Sequence, residues 1–176
     1  IIMGDSGAVG LGGMIGIMAK SGGAKAIADW LATKAKDPRS GQIATWAMGL
    51  VIFFDDYSNT LLVGNTMRPL TDKLRISREK LSYITDSTAA PVASMALIST
   101  WVAYEVGLLK DAFAAANVDV NAYGAFLLSI PYRFYSIITL FFVLGIAWFH
   151  RDYGPMLKAE LRARTTGKVL ADGATS

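Results

Sequence analysis

The sequence predicts an all-α polytopic membrane protein whose transmembrane helices include a re-entrant hairpin and a broken helix. Three observations carry that expectation. The chain of 176 residues is 53% hydrophobic and only 18% charged, and its mean hydropathy is +0.39, more apolar than an ordinary soluble domain. Lys and Arg fall in clumps between apolar runs, five in 20–39, five in 68–80 and a third group from Arg151 onward, which is how cytoplasmic loops look. Lastly, two polar stretches interrupt oily segments, "DDYSNT" at 55–60 and "TDSTAAP" at 85–91.

The same observations exclude several function classes. A formal charge of +3 does not point to nucleic acid, because the basic residues lie between apolar runs rather than on one aromatic-laced face. With no cysteine there is neither a disulfide framework nor thiolate chemistry. His150 is the single histidine, so a zinc or copper site is not expected. No cofactor and no enzymatic activity are expected either. An intramembrane aspartyl protease would share a proton between two aspartates, but Asp86 lies in "ITDST" and no Gly-x-Gly-Asp motif is present.

Taken in order, residues 1–19 read as a membrane segment, with Gly12 and Gly16 spaced to let a neighbouring helix approach. They do not fit a dinucleotide fingerprint, since the third glycine would fall at Ile15. The opening lacks an initiator Met and a basic leader, which suggests a piece of a longer chain. Residues 24–36 form an interfacial helix: Ala24, Ile27, Trp30, Leu31 and Ala35 recur at helical spacing, with Lys25, Asp29, Lys34 and Lys36 on the other side.

Segment 42–67 lies between two lysine- and arginine-rich loops. If both loops are cytoplasmic, it cannot cross once and must dip in and return as the hairpin, with "DDYSNT" at its tip. Energetics agree, because an aspartate at mid-membrane costs about 3 kcal/mol while each apolar residue returns only about 0.3–0.6. Such residues belong where protein or a water-filled cavity surrounds them. Segment 81–109 is the broken transmembrane helix, interrupted at "TDSTAAP"; 132–149 is the cleanest span; 150–176 is a cytoplasmic tail.

The polar atoms suit a small hard cation. Asp55, Asp56 and Asp86 are the candidate proton and cation carriers, and Ser58, Asn59, Thr60, Asn65, Thr66, Ser87 and Thr88 are the candidate Na+ ligands. Desolvation and a neighbouring carboxylate both raise an aspartate's pKa, so proton and Na+ can compete for the same oxygens. Competition with alternating access is sufficient for exchange. Glu105, Arg133 and His150 read as boundary residues, solvated or snorkelling.

The stretches "GGMIGIMAKSGGAKAIADWLATKAK", "FFDDYSNTLLVGNTMRPLTDKLRISREKL", "YITDSTAAPVASMALISTWVAYEVGLL" and "SIPYRFYSII" together resemble the NhaC-type Na+/H+ antiporter family. The resemblance implies a secondary transporter of a bacterial or archaeal inner membrane within a wider ion-transporter superfamily. There a hairpin with a Ser-Asn-Thr tip clasps Na+ beside a broken helix; Ser58, Asn59 and Thr60 match the tip, and "DSTAAP" occupies the place of the break. It also implies that this chain is a fragment of a larger transporter, about half or less of one. Its partners are then the lipid bilayer, Na+ and H+, and the remainder of the transporter, with a homodimer left open and no nucleic acid. A Na+-coupled carrier of a carboxylate such as malate or lactate, or of an amino acid, is the alternative on the same fold.

Overall fold

A computed structural model of the chain describes residues 22–171, 173 and 174. The expected membrane segment 1–19 lies outside them. Among the described residues all regular structure is helical. The helices are α1 (Gly23–Lys34), α2 (Pro38–Val51), α3 (Asp56–Lys73), α4 (Arg78–Met95), α5 (Thr100–Ala115), α6 (Ala122–Ser129), α7 (Phe134–Phe149) and α8 (Gly154–Thr166), with a 3-10 turn at Ile130–Tyr132 before α7.

Local chemistry sets the starts. Asp37 caps α2 by accepting from the Ser40 N–H at 2.7 Å, the Ser40 hydroxyl accepts the Asp37 N–H at 3.1 Å, and Pro38 occupies the first helical position. Those donations from Ser40 hold the exposed Asp37 carboxyl below its ordinary 3.8. Asp55, Ser77, Ser99 and Asn121 cap α3, α4, α5 and α6 in the same manner. At the other end of the chain, Gly167 takes the left-handed conformation that closes α8.

The centre of the molecule is the antiparallel α2–α3 hairpin packed on α4. Ala35, Ala44, Met48, Ile52, Val63, Met67 and Leu81 form its apolar core, where each fully buried large side chain contributes about 1.5–3 kcal/mol. Gly41 sits against Leu74 and Ile76 at the hairpin's base. At its tip, residues 52–55, the Phe54 carbonyl accepts the Thr100 N–H at 3.0 Å. Helix α7 runs antiparallel to α4: Ser94 and Ser136 share a hydrogen bond of 3.0 Å near one end, and Lys80 pairs with Asp152 near the other. Trp46 Nε1 donates to the Leu140 carbonyl at 3.1 Å, and Arg39 lies 4.4 Å over the Trp148 ring, so α2 is also fixed to α7.

The described parts of the three basic clusters, Lys34 to Arg39, 68–80 and Arg151 onward, therefore lie toward one end of the bundle. The hairpin starts and finishes at that end, and its tip reaches the level where α4 stops. By length and composition one helical run, Phe134–Thr166, could cross a membrane. A second crossing exists if α4 and α5, bent by 44°, are one broken span.

Two expectations need correction. "TDSTAAP" does not break the helix: 85–91 are helical throughout, and the interruption falls at 96–99. Pro91 removes one N–H only, while Thr85 donates to the Leu81 carbonyl at 2.8 Å and Thr88 to the Ile84 carbonyl at 2.9 Å, which keeps the polar side chains inside the helix. The 150–176 tail also holds a helix, α8, which packs on α4 through buried Ala159, Glu160 and Ala163.

Candidate functional site

Asp55 begins the site. Its Oδ2 accepts from the Ser58 N–H at 2.9 Å and from the Ser58 hydroxyl at 2.6 Å, and its Oδ1 accepts from the Thr100 hydroxyl at 3.1 Å. This carboxylate caps α3 and ties the hairpin tip to α5. Ser58 is 97% shielded and its proton is committed to Asp55.

One turn of chain further in, Asn59 is fully buried. Its Nδ2 donates to the Gly49 carbonyl at 2.7 Å and to the Ile52 carbonyl at 2.6 Å, satisfying the open end of α2. These two bonds fix which way round the amide lies. They leave Oδ1 pointing away from both carbonyls, buried and without a hydrogen-bond partner. Thr88 closes the neighbourhood from α4: a Cβ on Gly49 would stand 2.3 Å from the Thr88 Oγ1. Its proton goes to Ile84, so the oxygen keeps free lone pairs.

The remaining candidates lie outside this buried junction. Asp56, Thr60 and Asp86 line one cleft of about 320 Å³ between α3 and α4. Thr60, Asn65 and Asp86 also line a wider cleft of about 740 Å³ that continues toward Arg68 and Arg78. Asp56 makes only a local bond to the Tyr57 N–H at 3.0 Å, and among the described residues Asp86 has no ion-pair partner. Asn65 and Thr66 face a third cleft between α1 and α3. Ser87 is half-buried on α4. The ten candidates thus divide into a buried set of neutral oxygens beside a capping aspartate and an open groove with two carboxylates. Among the described residues no group of three His, Asp or Glu side chains is placed to hold a metal ion.

Several groups escaped the sequence reading. Thr100 and the Gly49 carbonyl complete the tip, although neither stands in a polar run. Arg133 and Glu105, read as separate boundary residues, form a two-pronged pair, with Nη1 donating to Oε1 at 3.0 Å. At the basic end a buried ionic cluster joins α4 to α8. Lys80 pairs with Asp152, Glu160 accepts from the Ser77 N–H and hydroxyl at 2.8 Å each, and Arg164 reaches Glu160 at 3.1 Å and Asp152 at 3.7 Å. His150 is part of it: a guanidinium only donates, so its Nε2 accepts from Arg164 at 2.8 Å.

Helical packing around unpaired hard oxygens is compatible with an ion carrier. Residues 92–174 match the model of the Na+/H+ antiporter family. The match suggests a transporter and runs from the end of α4 through α8. A protein of Haemophilus influenzae described as "Uncharacterized protein" is 34% identical over 151 residues, which are 85% of this chain and 29% of the relative. The chain thus spans less than a third of that relative. No solved structure matches.

Proposed function

We propose that the chain is the ion-binding part of a secondary transporter that exchanges Na+ for H+ by alternating access. The observation that carries this reading is the Asn59 amide. Its nitrogen is held by two backbone carbonyls, and its oxygen is fully buried with nothing to accept. Burying an unsatisfied acceptor costs about 1–3 kcal/mol, and a cation stripped of water removes that cost. Thr88 Oγ1, which lies beside Gly49 and keeps free lone pairs, supplies a further oxygen at this junction.

Asp56 and Asp86 are the proton carriers, because their cleft opens beside the junction and neither is committed to a cap. Asp55 positions the tip. Ser58 and Thr60 orient the first turn of α3, Asn65 stands farther along the groove as a ligand on the ion's route, Thr66 faces the separate cleft toward α1, and Ser87 is half-buried on α4. In this reading the end that collects the basic residues is cytoplasmic, the hairpin is re-entrant, α4 with α5 and α7 are crossings, and α1 lies in the interface. The surrounding lipid is a plasma membrane, and the remainder of a longer polypeptide closes the groove.

The test is Na+-driven proton movement in proteoliposomes containing the full-length protein, with no organic solute present. Asn59→Ala should weaken apparent Na+ affinity by about tenfold or more, the worth of one hydrogen bond to a charge. Because Asn59 also caps α2, Thr88→Val gives a shape-preserving control that should weaken affinity without loss of thermal stability. Normal exchange in both variants, or strict dependence on a solute, defeats the proposal.

A further inference from the structure

The deepest polar side chain that the cation site leaves unused is Gln42. It is fully buried, and both its Nε2 and its Oε1 lack a hydrogen-bond partner. Its place on α2 is well fixed. Positions 42, 45 and 49 share one helical face, and Gly49 on that face meets Thr88 of α4. Arg39 and Trp46, one turn to either side, hold α2 against α7 through Trp148 and Leu140. Gln42 therefore stands where α2, α4 and α7 meet, about 10 Å along the helix from Gly49.

An amide with donor and acceptor both unpaired selects its guest. A bare cation satisfies the oxygen and is repelled by the NH2 group. An anion does the reverse. Further protein cannot arrive, since the side chain is already enclosed. Water donates and accepts at once, and a buried water with two or more polar partners is an ordinary structural component. The Thr45 and Thr85 hydroxyls, both buried on the facing helices, give their protons to the Gly41 and Leu81 carbonyls and retain oxygens that can accept.

We infer that Gln42 is an internal water-binding residue, and that its water lies on the aqueous route between the basic end of the bundle and the Asn59 site. The route rests on the proposed cation site; the water site does not. Water here allows the cation to shed or regain its hydration shell inside the bundle instead of at its surface.

The chain contains no cysteine, so single cysteines can be read directly on a cysteine-free background of the full-length protein in membrane vesicles. Gln42→Cys should react with a small water-soluble methanethiosulfonate at least tenfold faster than Met48→Cys, an equally buried apolar position. Equal inertness of the two overturns the inference. Gln42→Met, similar in size with no amide, should slow exchange about tenfold while leaving thermal stability unchanged or raised. A lowered melting temperature with normal exchange shows a paired structural amide and overturns it as well. If Gln42→Met is silent while Asn59→Ala weakens Na+ binding, only the water site falls; if Asn59→Ala is silent, the cation site falls whatever Gln42 does.

Discussion

At the basic end of the bundle Lys80, Asp152 and Glu160 are buried beside Arg164, and each charge faces one of opposite sign. At the hairpin tip the buried groups are neutral, and among the described residues Asn59 Oδ1 has no hydrogen-bond partner. Where α4 meets α8 every buried charge has an opposite charge beside it, although Asp152 Oδ2 and Arg164 Nε make no hydrogen bond, whereas the open acceptor where α2, α3 and α4 meet has no charge beside it among the described residues. Paired charges fasten the elements that carry them, whereas a neutral acceptor with no partner can take a guest. The first is therefore read as a fastening and the second as a binding place.

Breaking the fastening should have the largest effect. Lys80→Met leaves Asp152, whose side chain is only 1% exposed, with Arg164 at 3.7 Å as its remaining cation, and breaking a buried pair costs about 3–5 kcal/mol. Thermal unfolding of the detergent-solubilised protein should show that loss, and Lys80→Met with Asp152→Leu should recover most of it. If the single variant is as stable as the parent, the cluster is not a fastening. Next comes the tip. Gly49→Ala drives a methyl to 2.3 Å from Thr88 Oγ1, so overpacking should cost about 1–3 kcal/mol. Adding Thr88→Ala should restore stability but not Na+ affinity, because room returns and the oxygen does not. Recovery of both would separate Thr88 from ion binding. A smaller effect is expected at Thr100→Val, which keeps the shape and removes one hydrogen bond to Asp55. Stability should fall by about 1 kcal/mol, measured by urea unfolding, with little change in Na+ affinity. A large change in affinity would return Asp55 to the list of carriers.

How much of this was legible in the sequence follows the range of the interactions. A turn near Asp55 was readable because Asp55 and Ser58 act within one turn and a polar run in an oily segment signals a local event, but the turn falls at 52–55 and the expected tip residues 56–60 are already the first turn of α3. The break in the following span was misplaced. Ser, Thr and Pro weaken a helix in isolation, yet Thr85 and Thr88 return their protons to the preceding turn, and the chain opens instead at 96–99, where Ser99 can cap a new helix. Helix α8 was missed because its buried face includes Glu160, a residue that reads as solvent-exposed until Ser77, 83 positions away, donates to it. Pairings over such distances leave no mark in spacing. Asn59 was singled out for its residue type; that its oxygen is the unpaired one depends on the Gly49 and Ile52 carbonyls at the end of α2.

The smallest expected effect sharpens the comparison between the two caps of the hairpin. Asp37 starts α2 in the open, whereas Asp55 starts α3 at the tip with a third bond to Thr100. Ser40 donates to Asp37 from its backbone and its hydroxyl, which keeps the carboxylate ionised below its ordinary 3.8. A folded-state pKa below the unfolded one means that the cap's contribution is complete above 3.8 and is lost as the pH falls through the lower, folded value. The first turn of α2 should then fray in acid, and amide hydrogen exchange at Ser40 and Gly41 should quicken relative to the middle of α2 only in that range. Asp37→Asn retains a good capping side chain and cannot titrate, so this acid-dependent fraying should disappear while exchange of Na+ for H+ stays normal. Fraying that persists in Asp37→Asn would locate the acid sensitivity elsewhere in the hairpin, with Asp55 the next cap to examine.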